Sequence, residues 1–252
     1  MKNRFLPFAL GMTLASSAAF GVSGGGSPVD GIVPVTRYVE PNYPVSLTFE
    51  TIYEGFAEVC FVVGPDGKLQ ESFVREYSHP AFAAEVEQTL KQWEFQPVPE
   101  GQPQLPRRYL LRFNFQRQGV VSVSGPQMDA VLNTLATYNE ASFVRISKLR
   151  DLDRIPDLVT LVVPKYPAAM VEKRTPGSAV ISFYIDETGT VRVATIVESS
   201  GPVFAMAALD AVRQWRFAAP TRRQRPVRVF AVQEFVFTAD LPTAQGKMRK
   251  ED

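Results

Sequence analysis

Two stretches of the chain repeat one order of apolar and polar positions. In the later stretch, residues 179–186 (Ala-Val-Ile-Ser-Phe-Tyr-Ile-Asp) are rich in β-branched and aromatic side chains. Glu187-Thr188-Gly189-Thr190 interrupts them, and residues 191–197 are again largely apolar. Runs of this type and length, bounded by turn residues, predict two strands joined as a hairpin. Ser199-Ser200-Gly201-Pro202 follows, with hydroxyls that can cap free amides and a proline suited to a first helical turn. Phe204, Ala208, Ala211 and Trp215 then recur at spacings of four, three and four, so they share one face of a helix over residues 203–215. Pro220 and an arginine-rich loop end it, and residues 226–237 read as a third, longer strand.

The earlier stretch follows the same plan. Residues 59–63 and 69–74 flank Pro65-Asp66-Gly67, where glycine can supply the positive φ of a tight turn. Phe82, Val86, Leu90 and Trp93 stripe a helix. Tyr109, Leu111, Phe113 and Phe115 then alternate with Arg108, Leu110, Arg112 and Asn114, which predicts one buried and one mostly solvated sheet face. Each unit is therefore expected to be ββαβ, a three-stranded antiparallel sheet covered by one helix, and the fold class α+β.

The two units align without a gap over residues 55–115 and 177–237, with 15 identities in 61 columns. Gly55, Phe61, Gly67, Gln92-Trp93, Phe95, Phe113 and Phe115 meet Gly177, Phe183, Gly189, Gln214-Trp215, Phe217, Phe235 and Phe237. Pro41-Asn42-Tyr43-Pro44 recurs as Pro164-Lys165-Tyr166-Pro167. Coincidence of the rare aromatic residues marks a tandem repeat. The expected boundaries are 29–118 for the first domain and 151–240 for the second. Residues 119–150 form a connector in which Val131, Leu132, Leu135 and Tyr138 predict a short helix, and 241–252 a flexible tail without apolar periodicity.

The N-terminus changes the picture of where the protein works. Lys2 and Arg4 precede an uncharged apolar stretch, residues 5–20, and small residues follow, with Ala19-Phe20-Gly21 as a cleavage site. That is the three-part pattern of a secretory signal peptide, residues 1–21, and it points to export into an oxidising compartment. The alternative is an uncleaved anchor, which ordinarily needs about 20 apolar residues. Charge is close to balanced, 27 basic against 26 acidic side chains, so nothing points to nucleic acid. One cysteine excludes an intramolecular disulfide, and one histidine excludes multi-histidine metal sites.

Candidate chemistry is sparse. Cys60 stands mid-strand between Val59 and Phe61, as a small core residue would. His79 lies at a helix start, where capping is the expected role, and Asp66, Asp186 and Glu187 stand at hairpin turns, where carboxylates satisfy turn amides. No phosphate cradle, metal-ligand spacing or paired carboxylate motif is present in the sequence, so no catalytic residue, metal ligand or cofactor is expected. Arg222, Arg223 and Arg225 form the most pointed cluster: a solvated loop on one reading, a patch for an anionic partner on the other.

The second unit's Tyr-Pro pair, the glycine before its first strand, Phe-Tyr-Ile-Asp with its Thr-Gly turn, and Glu198-Ser199-Ser200-Gly201-Pro202-Val203-Phe204 running on to Gln214-Trp215-Arg216-Phe217 resemble the C-terminal domain of the TonB family. The first unit is similar to it more loosely, with Glu76-Tyr77-Ser78-His79-Pro80 in the place of Glu-Ser-Ser-Gly-Pro. The resemblance implies a periplasmic protein-binding module of the energy-transducer type. Only about twenty residues separate Gly21 from the first unit, too few for the long proline-rich arm of a full transducer, so binding is implied more firmly than energy transduction. The partners it implies are outer-membrane TonB-dependent receptors or other envelope proteins, with peptidoglycan and a second copy of the chain, a homodimer, as further candidates. It also implies that a partner segment pairs alongside the last strand. In the second unit that strand's outward side chains are Arg228, Phe230, Val232, Glu234 and Val236, three of them apolar. Such a face invites a partner, or else packs on the connector or the other domain. A structural envelope role, binding peptidoglycan or holding an assembly, is the alternative function.

Overall fold

The computed structural model describes residues 33–117, 122–124, 144–238 and 245–249. The expected signal peptide and the expected connector helix lie outside the described residues. The first domain runs β1 (Val35–Arg37), β2 (Glu54–Val63), β3 (Leu69–Tyr77), α1 (Pro80–Leu90), β4 (Glu94–Phe95) and β5 (Arg107–Gln116). Two short strands follow, β6 (Ser122–Ser124) and β7 (Ile146–Ser147). The second domain repeats the plan with β8 (Leu158–Thr160), β9 (Gly177–Ile185), β10 (Val191–Ser199), α2 (Pro202–Val212) and β11 (Arg216–Phe217). A two-strand ribbon, β12 (Thr221–Arg222) and β13 (Arg225–Pro226), leads into β14 (Arg228–Phe237), and β15 (Gln245–Arg249) ends the described chain.

The ββαβ expectation holds in both copies, and each sheet is larger than the three strands expected. The first has the antiparallel order β3-β2-β5-β6, the second β10-β9-β14-β15, with β7 parallel to the start of β14. Each last strand thus pairs with the central strand on one side and with an added strand on the other. The tail, expected to lack structure, contributes β15. An unpaired strand edge offers N–H and C=O groups to any backbone, so pairing there needs no apolar periodicity.

Each helix covers one sheet face. Phe82, Val86 and Leu90 of α1 and Trp93 beyond it pack on Phe61, Phe113 and Phe115. Phe204, Ala208 and Trp215 pack on Phe183, Phe235 and Phe237. Burying a Phe side chain contributes roughly 1.5–3 kcal/mol, so these matched rings supply much of the stability of two small domains. Both tryptophans are 4–5% exposed. Each donates its ring N–H at 2.8 Å to a carbonyl in the segment before the sheet, Trp93 to Val39 and Trp215 to Val162. The Tyr-Pro tyrosines pack edge-on against the first helical ring, Tyr43 on Phe82 and Tyr166 on Phe204. Gly177 is needed there: a Cβ would lie 2.4 Å from the Phe204 ring, and at Gly55 one would lie 2.1 Å from Phe82.

The two sheets pack back to back. Cys60 and Val62 of β2 and Phe73 of β3 join Tyr184 of β9 and Val193 of β10 in a third buried cluster, edged by Leu110, Ile146 and Phe230. The outward face of β5 is therefore only partly solvated, with Arg108 exposed and Arg112 buried, where the alternation predicts a mostly solvated one. Leu110 packs on this shared cluster, Arg108 donates to the Ser182 hydroxyl at 2.7 Å, and Arg112 is 8% exposed. Arg112 lies over the Phe56 ring and pairs with Glu58 at 3.6 Å, so a partner charge replaces water.

Candidate functional site

The side chains expected to meet a partner lie along β14. Arg228 donates to Glu187 at 2.6 Å and to the Val74 carbonyl of the first domain, and stacks over Phe73 and Tyr77. Phe230 packs on Tyr184, ring centroids 5.2 Å apart, at the border of the interdomain cluster. Val232 is 9% exposed and Glu234 half-buried, while Val236 is 45% exposed. The first two residues of the expected site are thus engaged with neighbours inside the chain, and of the five Val236, at the far end, is the most open to solvent.

The backbone edge of β14 is the second component of the site. Val229–Phe237 pair with β9 in unbroken register from Ile185 to Gly177. On the opposite edge Arg228 and Val229 meet Ile146 and Ser147, and Val232–Val236 meet Arg249–Gln245 of β15. Among the described residues, the equivalent edge of β5 holds the three-residue pairing of Arg112–Asn114 with β6. Both last strands accept an antiparallel strand at one and the same edge, and the second accepts the longer one.

A family model described as Gram-negative bacterial TonB protein C-terminal matches residues 39–116 and again residues 162–239. The chain belongs to this family. A search of curated proteins returned no significant match. TonB C-terminal domains are the protein-interacting end of envelope energy transducers, and this protein is a TonB-like envelope protein carrying two of them in tandem. The repeat read from the sequence is that of the two matched regions.

The contacts that hold the two TonB domains together were not foreseen residue by residue. Arg192 donates to Glu71 at 2.7 Å and to the Ser72 carbonyl at 3.0 Å, and its guanidinium stacks 5.1 Å from the Phe73 ring centroid. Arg75 donates to the Tyr184 hydroxyl at 3.2 Å. The register of β10 against β9 skips at Val193 and Ala194, two residues opposite one, which is a β-bulge. Val193 stands at φ 50°, a conformation that disfavours a β-branched residue. Its N–H donates to the other carboxylate oxygen of Glu71 at 2.8 Å, and its side chain is fully buried in the shared cluster. The bulge turns both groups toward the first domain. One signal for this interface was present in the sequence. Val59-Cys60-Phe61-Val62-Val63 and residues 179–185 are apolar at nearly every position, as a strand covered on both faces requires.

The remaining candidate groups are structural. Cys60 is buried and its thiol is pushed up to about 11 by desolvation, far from a thiolate nucleophile at neutral pH. His79 caps α1, its Nδ1 accepting from the Ala81 amide at 3.2 Å. Asp186 accepts from the Thr188 and Thr190 amides, each at 3.0 Å, and from the Thr188 hydroxyl at 2.6 Å. Burial raises its pKa, but these hydrogen bonds and Arg192 outweigh it and hold the carboxyl below its usual value. Asp66 likewise receives the Lys68 amide. Among the described residues there is no group of three or more metal-ligating side chains, and no helix long and apolar enough to cross a membrane.

Proposed function

We propose that this protein binds extended segments of envelope partners by strand pairing at the outer edge of β14, and that it takes part in TonB-dependent transport across the outer membrane. The observation that carries this reading is β15, five residues lying antiparallel on Val232–Val236. An edge that holds one strand can hold another of similar length, through main-chain hydrogen bonds that any sequence can make. The incoming segment exchanges with β15, so backbone hydrogen bonds are replaced rather than added. Because β15 is tethered, it competes at an effective concentration on the order of millimolar, which sets the affinity a partner must exceed. Val236 is the exposed apolar group beside the pairing register and offers side-chain contact at the solvent end.

The compartment belongs to the same proposal: residues 1–21 are removed on export and the mature chain works in the periplasm. Mass spectrometry of the periplasmic fraction then finds a new N-terminus near Val22.

A second reading is a structural role in the envelope, tethering peptidoglycan or holding an assembly. It is favoured by the closure of both last strands by the chain's own segments and by the burial of part of each outward sheet face between the domains. Affinity capture from envelope extract on the full chain separates the two. Enrichment of outer-membrane receptors supports strand exchange, and recovery of cell-wall material alone supports the structural role.

A further inference from the structure

The ribbon β12–β13 sits at one end of the second domain, paired Thr221 with Pro226 and Arg222 with Arg225. Its two central residues, Arg223 at φ 51° and Gln224 at φ 62°, both occupy the left-handed region. Turns of that shape favour Asn-Gly, because side chains there are strained. One carboxylate holds it in place: Asp153 accepts the Arg223 amide at 2.7 Å and the Gln224 amide at 2.8 Å, while its own N–H donates to the Thr221 carbonyl at 2.9 Å. The first domain solves the same loop differently. Glu100 and Gly101 stand where Arg222 and Arg223 stand, and Gly101 takes φ 86° without strain. The second copy therefore keeps an arginine where a turn alone would take a glycine. Arg222, Arg223 and Arg225 are exposed, and none of the three has an ion-pair partner among the described residues.

Beside the ribbon lie exposed aliphatic groups. Ile155, two residues from Asp153, is 58% exposed, Val159 70% and Leu161 57%. Their strand is held next to the ribbon's base, since Leu158 pairs with Phe217 and the Ala218 amide donates to the Asp157 carbonyl at 2.8 Å. In the first domain the position of Val159 is Thr36, and that of Leu161 is Tyr38, which is half-buried against Trp93. Free guanidinium groups on a rigid turn, flanked by aliphatic side chains open to solvent, have the chemistry of a surface that meets lipid headgroups and dips apolar groups beneath them.

We propose that this end of the second domain docks on an anionic lipid surface, with Arg222, Arg223 and Arg225 on the phosphates and Ile155, Val159 and Leu161 at the acyl boundary. This site is separate from the edge of β14 and does not depend on strand exchange there. The test is co-sedimentation of the full chain with vesicles of phosphatidylcholine alone or with about a third phosphatidylglycerol. Binding is expected to the anionic vesicles only, and to weaken as salt shortens the Debye length. Each arginine is expected to contribute roughly fivefold in partitioning, so the variant Arg222→Gln/Arg223→Gln/Arg225→Gln loses on the order of a hundredfold. Arg223→Gly relieves the backbone and folds at least as well as the parent, yet binds about fivefold more weakly. Ile155→Ser/Val159→Ser binds anionic vesicles more weakly with its salt dependence intact. Equal sedimentation with both vesicle types overturns the proposal. So does a folded triple variant that binds like the parent, or sedimentation with purified peptidoglycan but not with vesicles.

Discussion

The two TonB domains share a core and differ in what lies around it. Matched rings fill both interiors, and the tryptophan of each donates to the matching carbonyl at the same 2.8 Å. Outside the core the copies have diverged in charge. Residues 39–116 hold six basic and eleven acidic side chains, residues 162–239 ten and six. Opposite signs suit the contact between them, where arginines of the second domain meet Glu71 and the carbonyls of Ser72 and Val74 in the first. They differ again at the last strand: among the described residues three of β5 pair with β6, against five of β14 with β15 and two more with β7. Duplication kept what makes each unit fold and let the surfaces diverge; under the proposed function the first copy is the platform and the second carries the binding edge.

The largest effects are expected where the copies agree. Trp93→Ala and Trp215→Ala each should cost about 3–5 kcal/mol, comparable with the stability of a small domain. Denaturant titration measures it, and a variant that melts like the parent would mean the core is not shared. Gly177→Ala should cost roughly 1–3 kcal/mol, because the added methyl meets the Phe204 ring and one partner has to shift; Gly55→Ala should behave alike.

Much of this shared part was legible in the sequence. Helix stripes at Phe82, Val86, Leu90 and Trp93 report packing within one unit, and the repeat doubled the signal. The outer faces were not legible in the same way. Alternation along β5 states that two faces differ; Arg108 is exposed as that reads, though it also reaches Ser182, whereas Arg112 is buried and pairs with Glu58. Such pairing depends on residues far away in sequence. The continuous apolar runs of β2 and β9 were the available sign that both faces are covered. The arginine cluster of the ribbon was visible, but Asp153, some seventy residues earlier, was not visible as the group that holds it. The strand β15 left no trace in the pattern, because backbone pairing does not require one.

Smaller effects probe where the copies differ. Glu71→Gln leaves the Val193 amide and Arg192 sharing a neutral amide oxygen, and should lower stability by about 1–2 kcal/mol. The loss should shrink in an Arg192→Gln background, as a double-mutant cycle would detect; additive losses would mean the pair is not coupled. Asp186 has its folded pKa below its unfolded value, so its stabilising contribution is complete above about pH 4 and fades as pH falls toward the folded value. Gly64 stands at the equivalent position of the first copy. Asp186→Asn should therefore cost about 1 kcal/mol at neutral pH and flatten the acid limb of the stability curve. An unchanged acid limb would show that this turn does not contribute to it.

The edge of β14 is the centre of the account, and a reversible lock tests it most directly. Glu234 and Lys247 are directly opposed in the register of β14 and β15. Cα atoms opposed across antiparallel strands lie about 4.5–5.5 Å apart, within the span of a disulfide. Glu234→Cys/Lys247→Cys, oxidised, should hold β15 in place and capture no outer-membrane receptor from envelope extract; the same protein after mild reduction should regain receptor capture. Cys60, buried in the interdomain cluster, stays out of the exchange. Equal receptor capture by the oxidised and reduced forms would contradict the account, because the partner would then bind somewhere other than the edge that β15 occupies.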